Sequence, residues 1–321
     1  MDQTAPHYRS RFGGMWIDET DQDAVAARIA AIPDPVLRGR ITAFERDGYV
    51  VLEQAVPHRA IDDYLRQYDD ALAAGEELLM SAPFGPMSEP LVAAKTSVPG
   101  AKILDTAMLL PAGAGLSFAP AISRFVQVLF EGPALAFQSL HFVVGSTQTI
   151  HQDTAYVVIG GKPMRLIASW IALEDVTPGS GELVYYVGGH RMREYAYANG
   201  TSKHFNADRD GHKAHQAHLR YLNEEAARCG FPKASFLPKK GDVLLWHADL
   251  PHGGGEITRP GCTRRSLVTH YCPAAETPYY FGFIPEQNRR KVPAANGNYY
   301  ASLYFPPERF ACARKTPTPG L

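Results

Sequence analysis

The chain is poor in cysteine. Its four, Cys229, Cys262, Cys272 and Cys312, form no CxxC pair. That argues against a disulfide scaffold or a zinc–thiolate site and fits a reducing compartment. No apolar run approaches the ~20 residues that cross a bilayer as a helix. Neither sign of charge is in excess: 32 Lys and Arg stand against 33 Asp and Glu, a formal net charge of −1. The basic residues are scattered, with only short pairs such as Lys239-Lys240, Arg264-Arg265 and Arg289-Arg290. A nucleic-acid or membrane-surface role is not expected. The first residues, Met1 to His7, lack a basic segment followed by an apolar run, so no secretory signal and a cytoplasmic location are expected. Internal repeats and low-complexity tracts are absent from the pattern as well.

What is present is a chain of 321 residues, 45% hydrophobic, enough to bury a large core. Asp34-Pro35 predicts a capped helix that runs to about Asp47 and stops at Gly48. Tyr49 to Leu52 reads as a short buried strand, and Pro57 opens a second helix with Ile61, Tyr64, Leu65, Tyr68 and Leu72 on one face. Residues 79–120 read as loops with short elements, and 122–130 as helix. From Leu135 the pattern turns to strand, over 136–144, 149–159, 165–173, 182–187, 242–247 and 264–271. Helices first and strands after imply an α+β, mainly β fold: a sandwich or double-stranded β-helix (jelly roll) buttressed by helices. One domain over 1–321 is expected. Residues 1–33 would be an irregular lead-in with Phe12 to Trp16 as a docking segment. Residues 190–240 would be an insertion or lid with a helix at 212–228, and 275–321 an irregular C-terminal segment.

The triplet His151-Gln152-Asp153 carries the most chemistry. Read as strand, residues i and i+2 share a face, so an imidazole and a carboxylate emerge side by side. They are two thirds of the 2-His-1-carboxylate set that holds Fe(II) with open positions. A third ligand is offered in Trp246-His247-Ala248-Asp249-Leu250-Pro251-His252-Gly253-Gly254. His252, in a Pro-His-Gly-Gly turn, suits a metal at the mouth of a barrel. His247, at the end of an apolar strand, reads as a packed or hydrogen-bonded histidine. Arg264 and Arg265 follow at the start of a strand. Either could pair its planar guanidinium with a carboxylate, and alternation does not choose between them. Arg264 shares its face with Ser266, Val268 and His270. His212, His215 and His218 recur every three residues and drift around a helix, so a solvated helix is the expectation. Tyr279, Tyr280, Tyr299, Tyr300 and Tyr304 could line a pocket or support a homodimer, with packing as the default.

Several blocks in order make the chain resemble the phytanoyl-CoA dioxygenase family of Fe(II)/2-oxoglutarate oxygenases. They are Phe44 to Leu52, His151 to Thr154, Ser169 to Val176 leading into Gly179 to Leu183, Gly188 to Arg191, Gly241 to Gly253, and Arg264 to Tyr271. The resemblance implies that His151, Asp153 and His252 hold iron and that Arg264, not Arg265, binds 2-oxoglutarate. It also places Thr154, Trp170 and, on the preceding strand, Gln138 near the cosubstrate. One position departs: many relatives carry a serine where this chain has Gly254, so either another donor replaces that hydroxyl or the cosubstrate pocket differs. Asp153 itself is present, and relatives with a small residue there bind halide, so oxidation by O2 is expected rather than halogenation.

The implied function is hydroxylation of a small-molecule C–H bond with release of succinate and CO2. Desaturation, epimerisation or ring closure would use the same cofactors, and a non-catalytic metal- or ligand-binding member of the fold is the alternative from another class. The sequence shows no basic cluster shaped for CoA phosphates, and its aromatic content leans towards a compact metabolite.

Overall fold

The computed structural model describes residues 8–83, 85–160 and 164–314. The outer ends of the lead-in and of the C-terminal segment, 1–7 and 315–321, lie outside the described residues. The helices are α1 (Gln22–Ala30), α2 (Pro35–Asp47), α3 (His58–Ala73), the one-turn α4 (Thr106–Leu109) and α5 (Gly113–Leu116), α6 (Pro120–Phe130), α7 (Ala207–Cys229) and α8 (Ala311–Arg314). The strands are β1 (Tyr49–Leu52), β2 (Leu79–Ser81), β3 (Glu89–Pro90), β4 (Lys102–Leu104), β5 (Ala134–Phe142), β6 (Ile167–Ala172), β7 (Leu183–Tyr186), β8 (Lys233–Phe236), β9 (Val243–His247), β10 (His252–Gly254), β11 (Ser266–Pro273), β12 (Val292–Pro293) and β13 (Tyr299–Tyr300).

Two sheets face each other. The large one runs β1-β9-β6-β11-β5-β4-β2-β3, with β13 added in parallel to β5 and β12 paired to β13. The small one is β10-β7-β8. This is the mainly β, α+β jelly roll that the strand pattern predicts. Alternation assigns the faces of the large sheet. Ile167, Ile171, Leu245 and Leu267 pack with α2, α3 and α6 residues such as Ile41, Phe44, Ile61 and Phe125. Trp170, Leu244, Val268 and Phe142 point the other way and meet Leu183, Tyr185 and Phe236 of the small sheet. The functional site lies between the sheets, on that second face.

Helix α2 forms as its sequence directs. Asp34 accepts hydrogen bonds from the amides of Val36 and Leu37, and Gly48 closes the helix in the left-handed region at φ 78°. A Cβ at Gly48 would run into the His190 ring, so a side chain there would be both strained and blocked.

Four expectations need correction. The lead-in is not irregular throughout, because Asp21 caps α1 at Ala24. Its Met15-Trp16-Ile17 segment does dock, fully buried. Residues 149–159 are not a strand. His151 makes a single antiparallel bridge to His252, and the chain then turns at Asp153–Ala155. The tendency of Thr149, Ile150, Val157 and Val158 to extend is overridden because the carbonyl of Asp153 accepts the amides of Tyr156 and Val157. The insertion is shorter than 190–240, since β8 returns to pair with β7. The C-terminal segment is largely irregular but contributes β13 to the large sheet.

The docked lead-in carries a pH-sensitive contact. His247 Nε2 lies 3.3 Å from the Asp18 carboxylate, which also accepts the Met15 amide at 2.8 Å. Burial works against a charge on His247, but Asp18 outweighs it and raises its pKa. A raised histidine pKa stabilises the fold fully below the unfolded value of about 6.5, and that contribution disappears as pH rises through the folded value above it. The gap in thermal midpoint between wild type and Asp18→Asn should therefore narrow as pH climbs from about 6 to 8. Parallel curves across that range would refute the contact's role.

Candidate metal centre

A turn and the first residue of β10 bring three candidate ligands together. The backbones of His151 and His252 exchange hydrogen bonds, each amide meeting the other's carbonyl at 2.9 Å. The rings therefore emerge side by side, with centroids 4.5 Å apart. Asp153 arrives from the turn just after the bridge. Its Oδ1 lies 3.8 Å from His151 Nε2 and 3.6 Å from His252 Nε2, and one ligand atom from each of the three residues lies within 4.8 Å of the others. The triad predicted from the sequence is thus assembled, though by a bridge and a turn rather than by alternation along one strand.

The orientation of each group is fixed from behind. His151 Nδ1 donates to the carbonyl of Thr149 and His252 Nδ1 to that of Leu250, both at 2.9 Å. With Nδ1–H committed, Nε2 presents the lone pair, the arrangement a metal-bound imidazole needs; that of His151 accepts from the Gln148 side-chain amide at 3.2 Å. Trp246 Nε1 donates to Asp153 Oδ2 at 2.7 Å, and His270 Nε2 stands 3.5 Å from the same oxygen. Oδ1 is left facing the imidazoles. Burial pushes the His151 pKa down to about 3, with the facing His252 adding to it. Burial opposes the charge on Asp153, but His252, His270 and His151 outweigh it and hold the carboxyl well below its ordinary range. Two imidazoles and a carboxylate, all buried, form a donor set that fits Fe(II).

The triad lies in the wall of a cavity of about 360 Å³. Of the residues expected beside the cosubstrate, Arg264, Trp170 and Gln138 line this cavity. Arg264 is 2% exposed, and its guanidinium lies 5.3 Å from the Trp170 ring centroid and 5.6 Å from that of Phe142. Its Nε has no hydrogen-bond partner among the described residues. Burial lowers its pKa to about 10, against the pull of Glu182 and Glu174, so it remains a cation at neutral pH. Arg265 does not line the cavity; its backbone amide donates to Glu174. Thr154 does not reach the cavity. Its hydroxyl donates to Asp249 at 2.6 Å, because the turn at Asp153 swings the next side chain towards the β9–β10 connection.

Gly254 makes room for a different hydroxyl. A Cβ there would stand 2.6 Å from Ser146 Oγ, and Ser146 lines the cavity. A serine at 254 would collide with it.

Other residues join the site, some of them without having been singled out. Lys102 of β4 lines the cavity; burial lowers its pKa, while Asp153 acts in the opposite direction. Nothing near Lys102 in the sequence signals this, because β4 meets β5 only through long-range pairing. His270 was legible in principle from its shared face with Arg264, and it lines the cavity too. Tyr279, Tyr280 and Tyr304 line it rather than merely packing, while Tyr300 is a core residue. The insertion helix is less solvated than predicted: His218 is buried and bonded to Tyr197, and His215 meets the hydroxyl of the cavity residue Tyr156 at 2.6 Å.

Comparisons with known proteins agree on the fold. The epimerase SnoN from nogalamycin biosynthesis, in complex with Fe3+, α-ketoglutarate and nogalamycin RO, superposes with a TM-score of 0.58 at 17% identity, over 83% of this chain and 99% of that one. EctD from S. alaskensis with bound Fe gives 0.57 at 19% identity, over 86% and 90%. The carbocyclase SnoK from nogalamycin biosynthesis gives 0.53 at 17%, over 75% and 85%. No curated protein sequence matches. No helix among the described residues is long and apolar enough to cross a membrane. The model of the phytanoyl-CoA dioxygenase (PhyH) family matches residues 44–266, most of the chain and all three ligand positions. The chain therefore belongs to the phytanoyl-CoA dioxygenase family and is an Fe(II)/2-oxoglutarate-dependent oxidoreductase.

Proposed function

We propose that this protein hydroxylates, or otherwise oxidises, a C–H bond of a compact and largely apolar small molecule. The observation that carries the reading is one cavity that holds His151, Asp153 and His252 together with a buried, hydrogen-bond-deficient Arg264. His151, Asp153 and His252 would hold the iron, and Arg264 the distal carboxylate of 2-oxoglutarate. Lys102 adds a second cation for the cosubstrate's negative charge, and Ser146 offers the hydroxyl that Gly254 lacks. Iron, when bound, would supply the chemistry that couples O2 to both substrates: one oxygen atom would go into succinate as 2-oxoglutarate loses CO2, and the other would oxidise an unactivated C–H bond. The chain's own task is to orient the ligands, exclude water and aim the substrate.

The substrate class is argued from the cavity mouth. Met87, Tyr156 and Tyr279 line the cavity and are 65%, 36% and 42% exposed. Phe283, 59% exposed, packs on Tyr279 with ring centroids 5.3 Å apart. Large apolar side chains gathered at an opening mark a binding site more often than scattered ones do. A ring-bearing or alicyclic body fits between them. The neighbours named a carbocyclase and an epimerase show that oxidation on this fold has outcomes other than hydroxylation. Desaturation, epimerisation or ring closure therefore remains a second outcome of the same site.

The test is succinate formation by the iron-loaded enzyme with 2-oxoglutarate and O2, across neutral polycyclic, alicyclic and strongly polar compounds. Apolar ring compounds should stimulate it. Tyr279→Ala should raise the KM for such a compound about tenfold, the worth of one aromatic contact of ~1.4 kcal/mol, and leave that for 2-oxoglutarate unchanged. Iron binding without substrate-stimulated succinate formation anywhere in the panel would favour the non-catalytic reading.

A further inference from the structure

We propose that Lys203, in the insertion before α7, is a positioning residue that clasps the two ligand-bearing turns of the iron site. The inference rests on the reading that His151, Asp153 and His252 hold iron. Lys203 Nζ meets Asp249 Oδ2 at 2.7 Å, with the two side chains only 2% and 5% exposed. The other carboxylate oxygen of Asp249 accepts the hydroxyl of Thr154 at 2.6 Å, and its carbonyl accepts the Gln152 side-chain amide at 2.7 Å. Asp249 lies three residues before His252, while Gln152 and Thr154 flank Asp153. One buried carboxylate thus spans the two turns that carry the ligands.

The same segment grips the proximal turn a second time. The carbonyl of Ala155 accepts the amide of Phe205 and the Nδ1–H of His204, both at 3.0 Å. Residues 203–205 therefore hold both turns from the side away from the cavity. The insertion does more than cover the site; it sets how far Asp153 stands from His252.

A buried ion pair adds little net stability compared with apolar groups of the same size. What this pair does that apolar groups could not is hold the Asp249 carboxylate at the angle that keeps its second oxygen on Thr154. Removing Lys203 leaves that carboxylate buried and unpaired, free to turn from Thr154 towards any other donor. The ligands would remain, but their spacing would loosen. Loss of partners behind metal ligands typically weakens metal binding by about 10–100-fold.

The experiment is anaerobic Fe(II) titration of the full chain, with the visible absorption of the Fe(II)·2-oxoglutarate complex as a second readout. Lys203→Met should weaken iron about tenfold or more and alter that absorption, while the KM for 2-oxoglutarate at saturating iron stays within about twofold. Thr154→Val removes only the hydroxyl, leaves the Lys203–Asp249 pair in place and should weaken iron in the same direction; it carries the test if Lys203→Met does not fold. Lys203→Met/Asp249→Asn should recover iron affinity to within about threefold of wild type, since the substituted side chain's amide oxygen can still accept from Thr154 and no charge is stranded. Lys203→Met and Thr154→Val proteins that bind iron like wild type, even if they melt earlier, would reduce the clasp to a structural strut and overturn the proposal. So would Thr154→Val raising the KM for 2-oxoglutarate with iron affinity intact, because Thr154 would then serve the cosubstrate. Absence of an iron site in the wild type would overturn the functional reading as well; unchanged variants on an intact wild-type site overturn this inference alone.

Discussion

His252→Ala should abolish iron-dependent turnover, and His247→Ala should not. The two histidines stand five residues apart and both are buried, so burial does not separate them. Their partners do. His252 turns Nε2 towards Asp153 and His151, with Nδ1 spent on a backbone carbonyl. His247 turns Nε2 to Asp18, accepts the Asp249 amide on Nδ1 and packs beside His190. Removing His252 takes away one of three ligands, and turnover should fall by about a thousandfold or more, over ~4 kcal/mol in barrier terms. Iron titration of the same variant should lose its tight phase. Removing His247 empties a packed site and breaks the contact with Asp18, which should cost about 2 kcal/mol of stability and lower the melting midpoint. Below that midpoint the variant should still bind one iron and keep more than about a tenth of its turnover. Turnover lost in His247→Ala and retained in His252→Ala would move the site.

Arg264→Met should raise the KM for 2-oxoglutarate about a hundredfold or more while the protein still binds iron. The guanidinium is enclosed by Trp170 and Phe142, where a bidentate pair with a carboxylate is little screened by water. Two charge-assisted hydrogen bonds of ~1.5 kcal/mol each account for that factor. Arg264→Lys keeps the charge but loses the fork, so an intermediate rise of about tenfold is expected. Ser146→Ala should raise the same KM only a few-fold, as loss of one neutral donor of ~1 kcal/mol would. An unchanged KM in Arg264→Met would pass the anchoring role to Lys102, the other cation in the cavity wall.

The parts of this architecture set by local chemistry were legible in the sequence. The cap at Asp34, the stop at Gly48 and the strands 167–172, 243–247 and 266–273 follow from residue type and spacing, while His151, Asp153 and His252 come together through a bridge and a turn and not through the alternation that first paired two of them. Helix α1, capped by Asp21, was a local signal missed; the other misreadings share a cause, which is tertiary pairing that local pattern does not record. β10 is His-Gly-Gly, with little intrinsic tendency to extend, and is a strand only because β7 pairs with it. Thr149 to Val158 has that tendency and is not a strand, because its polar groups bond to the β9–β10 connection and to the insertion. Thr154 illustrates the limit at the scale of one side chain. The family register places it at the cosubstrate, yet a one-turn helix rotates it onto Asp249. Lys102 and Trp246 reach the site from elements far apart in sequence, and only the assembled sheet brings them to Asp153.

The reciprocal backbone pairing of His151 with His252 bears on which ion the site accepts. Because the two residues exchange both hydrogen bonds, the distance between their Cα atoms is that of neighbouring strands, about 5.5 Å, and is set before any ion arrives. A rigid gauge of this kind cannot separate first-row divalent ions that differ little in radius, and two imidazoles with one carboxylate favour nickel and copper over iron in intrinsic affinity. Occupancy then follows supply. Cobalt, nickel or copper would seat on the same three donors and idle the enzyme, and the free-metal composition around the protein would govern what fraction of its copies can work.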